Sequence, residues 1–343
     1  MGLAERGWVP DFLICRGIRL LLAQRLAEES AGGVDGYHAR IVELREALAN
    51  KPIAEKTDHA NRQHYEVPAE FYRLSLGRRL KYSGCYWPRG VTTLDQAEDA
   101  ALALVCEHAE LVDGQRVMEL GCGWGSLSLW MAEHYPASRI TAVSNSASQR
   151  NHIMTQASGR GLNNLDVITA DINDFETNDV FDRVVSVEMF EHMANHAELM
   201  RCIAGWLKDD GKLFVHVFAH RRYAYRFEED GQSNWMGRHF FTGGIMPSHG
   251  YLPGTDEHLR CEADWWQDGT HYQKTAEAWL NNTDANRGQI LECFEQTYGK
   301  ASAEVWLRRW RIFFMACAEL WGYRGGKEWG VSHYRFAKQT SDA

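Results

Sequence analysis

Two acids and an imidazole stand close together in Glu188-Met-Phe-Glu-His192, directly after the apolar run Asp182-Arg-Val-Val-Ser-Val187. A β-branched run of this length reads as a buried strand, so Glu188, Glu191 and His192 leave the sheet together at one of its ends. Burying that much charge costs several kcal/mol unless it is paired, which makes a purely structural cluster unfavourable. The chemistry open to such a set is proton transfer. Neutral imidazole predominates near pH 7 and neighbouring carboxylates raise its basicity, so His192 reads as the proton acceptor. Glu191 is placed to orient it, and Glu188 to hold a cation or share the proton. A second stretch, Val117-Met-Glu-Leu-Gly-Cys-Gly-Trp-Gly-Ser126, carries Glu119 in an apolar run that ends in Gly121, Gly123 and Gly125. A helical pattern follows, giving a strand, a tight turn and a helix. Glycine suits such a turn because it tolerates φ > 0 and lets a ligand approach the backbone.

The elements that position these groups follow from periodicity. From Arg116 the chain alternates strands, at Arg116 to Leu120, Arg139 to Ser144, Leu165 to Thr169, Asp182 to Val187 and Lys212 to Phe218, with helices at Gly125 to His134, Ala147 to Ser158 and Ala197 to Leu207. Short β-branched runs separated by helices imply an α/β fold with a parallel sheet covered on both faces, ligands binding at the carboxyl ends of its strands. Before Arg116 the patterns are helical, at Pro10 to Glu29, Gly36 to Ala49, Pro68 to Leu76 and Thr93 to Leu111, the last capped by Thr93 or Asp95. After Phe218 an aromatic stretch without clear periodicity reads as a lid. Glu257 to Trp266 and Val331 to Lys338 read as further strands, the closing one antiparallel. Two long helices are expected at Thr275 to Tyr298 and Ser302 to Trp321. The expected organisation is a helical cap over 1–108, a core over 109–218, a substrate-cap insertion over 219–256, and strands and helices over 257–343 that complete core and cap.

Composition narrows the function. The formal charge is −9, with no block of Lys or Arg, which argues against gripping nucleic acid through its phosphates. Eight scattered cysteines show no metal-ligand spacing, so no metal is expected and the thiols read as reduced, in a cytoplasmic protein. The run Phe12-Leu-Ile-Cys-Arg-Gly-Ile-Arg-Leu-Leu-Leu22 is interrupted by Arg16 and Arg19 and is too short to span a bilayer. It reads as an amphipathic helix packed on the body, with membrane-surface contact as the alternative.

Glu119-x-Gly-x-Gly-x-Gly differs from the Gly-x-Gly-x-x-Gly of dinucleotide binders and resembles the pattern of Rossmann-like class I methyltransferases that use S-adenosylmethionine (SAM) and release S-adenosylhomocysteine. In that reading Gly121 and Gly123 wrap the methionine part, with Glu119 near its ammonium and Val187 at the neighbouring strand end. Asn145 and Gln149, where many cofactor folds carry an acid, are suited to the ribose hydroxyls. Asp171 is suited to an adenine amino group, with Ile172 packed on the ring.

Several stretches, in order, resemble the family that joins cyclopropane fatty acid synthases with coclaurine N-methyltransferase-like enzymes: Asn61-Arg-Gln-His-Tyr-Glu-Val-Pro68, Leu80-Lys-Tyr-Ser-Gly-Cys-Tyr-Trp87, Thr92-Thr-Leu-Asp-Gln-Ala-Glu98, the glycine loop, Glu188 to Met193, Trp206-Leu-Lys-Asp-Asp-Gly211 and Phe240-Phe-Thr-Gly-Gly-Ile-Met-Pro-Ser248. The likeness implies that Tyr82 and Ser83 contact SAM and that Tyr65 and Glu66 reach the substrate. His220, Trp235, His239 and Phe241 of the insertion are expected on the substrate side as well. The synthases hold a bicarbonate base with a cysteine, a Glu, a His, an Ile and a Tyr. Here Gly84 replaces the cysteine, Cys85 lying one residue out of register, Phe218 replaces the Ile, and Ile312 or Phe313 falls near the Tyr. Glu191 and His216 are what remains of that set. Glu188, typically glycine in the synthases, matches the N-methyltransferase branch. The resemblance therefore implies methyl transfer to a small aromatic or cyclic amine, the alternatives being a lipid-modifying synthase and a SAM-binding regulator without turnover. Oligomeric state stays open, a homodimer being one option.

Overall fold

A computed structural model of the chain describes residues 2–55, 67–227, 235–236, 240–241, 243–255 and 257–339. Strands β1 (Arg116–Leu120), β2 (Arg139–Ser144), β3 (Leu165–Thr169), β4 (Phe181–Val187) and β5 (Leu207–His220) alternate with helices, and β8 (Leu259–Asp268) and β9 (Trp329–Lys338) join them in one sheet. A two-stranded ribbon, β6 (Tyr225–Arg226) with β7 (Ile245–Met246), stands apart within the insertion. The sheet order is β3-β2-β1-β4-β5-β9-β8. Pairing is parallel from β3 through β5, while β9 runs antiparallel to both its neighbours. This is the class I methyltransferase arrangement. The chain reverses strand order on either side of β1 and β4, and the crevice that this reversal opens lies at their carboxyl ends, where both chemical motifs emerge.

The buried polar side chains of β1, β2 and β4, Glu119, Ser144 and Ser186, are each hydrogen-bonded. Met118, Leu120, Val184, Leu213, Val215 and Val217 pack against one face, with Leu199, Met200 and Ile203 of the helix His196–Trp206. Val117, Ile140, Ala142, Val185 and Phe214 pack against the other, with Leu102, Val105 and Cys106 of the helix Leu94–His108. That helix starts at Thr93, whose hydroxyl accepts from the Gln96 amide while Gln96 returns the bond, a capping box that resolves the two caps expected from sequence.

A third cluster joins the two ends of the chain. The helix Asp11–Glu29 buries Ile14, Ile18 and Leu26 against the long helix Lys300–Gly322, and Arg311 ties Asp11 to Asp284. Packing on the body, the expected role, therefore uses one stripe of this helix, while Phe12 and Leu20 stay exposed. Among the described residues no helix is long and apolar enough to cross a membrane.

Two expectations are corrected. The helix read over Thr275 to Tyr298 is two helices, Thr270–Ala285 and Arg287–Tyr298. Asn286 breaks it, its side chain donating to the carbonyl of Leu74 at 2.8 Å, while Thr270 starts the first helix early because Asp268 caps its amide. The strand read over Lys212 to Phe218 extends to Leu207–His220, since β9 pairs with it as far as His220.

Candidate active site

A cavity of about 260 Å³ opens at the carboxyl ends of β1, β2 and β4. Its floor is the glycine turn. Gly121 adopts φ +77°, and a Cβ there would lie 2.8 Å from the Met189 side chain, so both conformation and space require glycine. Glu119, Gly121, Gly123, Asn145, Gln149, Asp171, Ile172 and Val187 all line the cavity, as do Tyr82 and Ser83 from the N-terminal segment. Every residue expected at the methyl donor thus meets one space.

The donor set fits that ligand. Glu119 is buried and its Oε2 takes a hydrogen bond from Ser128, leaving the other carboxyl oxygen, Oε1, for an ammonium. Gln149 accepts from Ser144 at 2.7 Å, so what it has left to offer is chiefly its NH2 group. Asp171 is fixed through Asn173, which donates to its Oδ1 and also bonds both backbone groups of Ala54. That bridge ties the end of β3 to the N-terminal segment.

Burial pushes the Glu119 carboxyl up to about 8, against the lowering by Ser128. The folded state therefore holds a proton that the unfolded chain, titrating at 4.5, gives up. The resulting contribution to stability is fully present below pH 4.5 and is lost as pH rises through about 8. Melting temperature of the ligand-free protein should fall over this window, and Glu119→Gln should flatten the slope. An unchanged slope in the variant would show that another group sets it.

The second wall is built by the β4 end. Glu188 sits at φ +48°, a left-handed conformation that costs about 1–3 kcal/mol for a side chain other than glycine. Four interactions hold it there. Its amide donates to the His216 carbonyl at 2.8 Å, its Oε1 accepts from the Gly84 amide at 2.8 Å and lies 3.2 Å from His216 Nε2, and its Oε2 accepts from the Tyr272 hydroxyl at 2.7 Å. Gly84 must be small, because a Cβ would lie 2.9 Å from the Tyr272 ring. Tyr272 thus fills the place beside Gly84 and binds Glu188 instead. Cys85 points elsewhere: it is buried, its thiol faces the Ser83 carbonyl and it does not line the cavity.

Glu191 follows on a single 3-10 turn, Phe190–His192, and is 1 % exposed with neither oxygen hydrogen-bonded among the described residues. The expectation that Glu191 orients His192 is therefore corrected: no bond joins them, because the turn sends the carboxylate inward and the ring of His192 against Phe241, centroids 4.5 Å apart. Burial raises Glu188 above the usual carboxylate range, opposed by Lys81, Gly84 and Tyr272. Burial and then the charge of Glu188 raise Glu191 further.

Of the substrate-side expectations, Phe241 lines the cavity. His220 does not: its Nδ1 accepts the amides of Arg222 and Tyr223, so it closes a turn at the end of β5. Trp235 does not either, because its indole N–H donates to Glu5 and its ring packs on Phe240 in the helical core. Tyr65, Glu66 and His239 lie outside the described residues. Sequence reasoning missed Lys81, Tyr272 and Glu98. Glu98 accepts the amides of Gly77, Arg79 and Lys81 and so shapes the loop that carries Tyr82 and Ser83. Its signals were an acid on the buried face of an apolar helix and its place at the end of the matched stretch Thr92 to Glu98.

Residues 54–325 match the model of a family described as mycolic acid cyclopropane synthetase. The chain belongs to this family. Within the cyclopropane synthetase family its near relatives are methyltransferases of amines. It is 37% identical to (S)-coclaurine N-methyltransferase of Thalictrum flavum subsp. glaucum over 98% of this chain and 94% of that protein. It is 33% identical to pavine N-methyltransferase of the same plant, over 98% and 95%. The crystal structure of coclaurine N-methyltransferase bound to N-methylheliamine and SAH superposes with a TM-score of 0.95 at 37% identity, covering 98% of each chain. As a member of the family the protein is a SAM-dependent methyltransferase, coclaurine N-methyltransferase-like in sequence and fold.

Proposed function

We propose that this enzyme methylates the nitrogen of a small aromatic or cyclic amine of the coclaurine kind, and that Glu188 and Glu191 take up the proton the amine must lose. What carries the reading is the pair of carboxylates at the inner end of an aromatic cavity, one of them fully buried with no hydrogen-bond partner among the described residues. SAM supplies a methyl carbon on a cationic sulfur, and that bond's electrons stay with sulfur when the methyl leaves. An amine that is itself cationic at neutral pH is repelled by such a donor and has no lone pair to offer. Two adjacent carboxylates answer both problems: they offset the sum of positive charge, and their mutual repulsion makes one of them a ready proton acceptor. Tyr82, Phe218, Phe227, Phe241, Trp279, Phe313 and Trp321 line the remaining wall and suit a planar apolar body. His192, stacked on Phe241, hydrogen-bonds the nitrogen and turns its lone pair toward the methyl.

The same reading gives the cofactor roles: Glu119 at the SAM ammonium, Asn145 and Gln149 at the ribose, Asp171 and Ile172 at the adenine, and Tyr82 and Ser83 closing over them. The eight free cysteines suit a reducing compartment, and we place the enzyme in the cytoplasm. The lipid reading is disfavoured because Tyr272 occupies the space in which a residue-84 thiol would stand. Incubation with SAM and a panel of cyclic amines should yield methylated amine and one S-adenosylhomocysteine per methyl. Methylene transfer to unsaturated phospholipid vesicles, with no methylated amine, would reject the proposal.

A further inference from the structure

Glu188 does not end the polar chain. His216 on β5 stands in direct register with His333 on β9, and His333 with Trp265 on β8, so one row of side chains crosses the sheet from the active site toward its edge. Along that row His216 Nε2 lies 3.2 Å from Glu188 Oε1, His333 Nε2 lies 2.9 Å from His216 Nδ1, and His108 Nδ1 lies 2.8 Å from His333 Nδ1. His216 and His333 are buried, at 2 % and 1 % exposed. His108 closes the helix Leu94–His108, is partly exposed, and stacks on Trp265 with centroids 3.9 Å apart.

The geometry points to a proton relay in which His216, His333 and His108 carry the proton released at the amine from Glu188 to solvent on the far side of the sheet. It rests on the reading that the carboxylate pair takes that proton. The steps balance without any change of oxidation state. The N–H bond of the bound ammonium breaks, its electron pair remains on nitrogen, and an O–H bond forms on Glu188. That proton passes to His216 Nε2 while His216 Nδ1 releases one to His333 Nε2. His333 Nδ1 then releases one to His108 Nδ1, and His108 Nε2 gives one to water. Each ring thereby exchanges its tautomer. After the product leaves, His216 Nε2 gives its proton to water in the opened site, His333 Nε2 passes one back to His216 Nδ1 and His108 Nδ1 one to His333 Nδ1. His108 Nε2 takes one from solvent, which restores the first tautomers before the next turnover.

The surroundings keep the rings neutral, as a relay requires. Burial pushes His216 and His333 well below the usual histidine range, and Lys81 adds to this for both. At the outer end burial lowers His108; Glu107 opposes this and Arg335 adds to it. Arg335 also donates to the His108 carbonyl at 3.0 Å, and Gln267 lies 3.2 Å from His333 Nε2. Of the other ionisable groups close to Glu188, Tyr272 is held neutral by burial and by Glu188 itself, and burial also pushes up the thiol of Cys317. With the amine seated, the inner end of this row is covered by the ligand, and the histidines lead to water on the opposite side.

Imidazoles that merely filled polar space would be replaceable by glutamine, which keeps hydrogen bonds but does not pass a proton. The test measures turnover against pH, in dilute buffer with saturating SAM and amine, for His333→Gln, His108→Phe and His108→Ala. SAM affinity and circular dichroism monitor the fold. His333→Gln and His108→Phe should each lower kcat by roughly a hundredfold, the lower end of what a positioned proton-transfer group contributes. KM should hold and the solvent deuterium isotope effect should grow. Added imidazole should restore His108→Ala and leave His333→Gln unchanged. Should His333→Gln misfold, the His108 variants, at a partly exposed position, decide the question. Wild-type kcat and pH profile in folded variants, or failure of imidazole to restore His108→Ala, would overturn the relay. Glu188→Gln separates the two ideas: if it is inactive while the histidine variants are not, the relay falls and the carboxylate reading stands, and if it is active both fall.

Discussion

Glu188→Gln should lower kcat by roughly two to four orders of magnitude, the usual worth of a positioned proton acceptor, while SAM affinity stays near that of the native enzyme. The substitution keeps the volume and replaces one oxygen by an amide nitrogen. The Gly84 amide and the Tyr272 hydroxyl, 2.8 and 2.7 Å from the carboxylate, retain one acceptor between them. The left-handed backbone stays fixed by the 2.8 Å bond from the residue-188 amide to His216. What is removed is the capacity to accept a proton, so loss in kcat with small change in KM is the expected signature. His192→Ala serves as the control. If the imidazole were the acceptor, as its type alone suggests, the larger loss would move to that variant.

Glu191→Gln should have effects of opposite sign on stability and on turnover. Its carboxyl is fully enclosed with no partner among the described residues, and leaving such a group unsatisfied costs about 1–3 kcal/mol. Burial and the Glu188 charge both raise its affinity for a proton, so in the ligand-free enzyme its ionised form is a source of strain that a proton or a bound cation relieves. Replacing it by the neutral amide should raise the melting temperature by several degrees, and more so as pH rises and the carboxyl of the parent ionises. At the same time kcat/KM for a cationic amine should fall by roughly two to four orders of magnitude, since losing one partner of a buried ion pair costs about 3–5 kcal/mol. A thermal melt and a steady-state assay on one preparation read both. A variant that is less stable than the parent would show that Glu191 is paired in the ligand-free state.

The residues at the methyl donor were legible because they are tied to local pattern. Strands β1, β2 and β3 match the runs read from β-branched periodicity, and a loop that follows a parallel strand has one place to go, the carboxyl edge of the sheet. Each of Glu119, Gly121, Gly123, Asn145, Gln149, Asp171 and Ile172 lies on or just beyond such a strand. The insertion after β5 has no such constraint. Its aromatic side chains are equally suited to a core or a cavity, and only packing sends Phe241 inward to the site and Trp235 to Glu5 and Phe240.

The order of strands and helices, the glycine turn and the carboxylates leaving β4 were thus settled by the chain's own spacing, while the likeness to methyltransferases of amines rested on matched stretches such as Glu188 to Met193. The surroundings that make those carboxylates reactive were decided in three dimensions. Tyr272 reaches Glu188 across 84 positions, and His333 reaches His108 across 225. Local periodicity carries no record of which residues an antiparallel register sets side by side, or of which acid is left buried without a partner. Proton affinity follows from exactly those two circumstances, so the chemistry became readable only once β5 and β9 were paired and the helix Thr270–Ala285 was packed over Gly84.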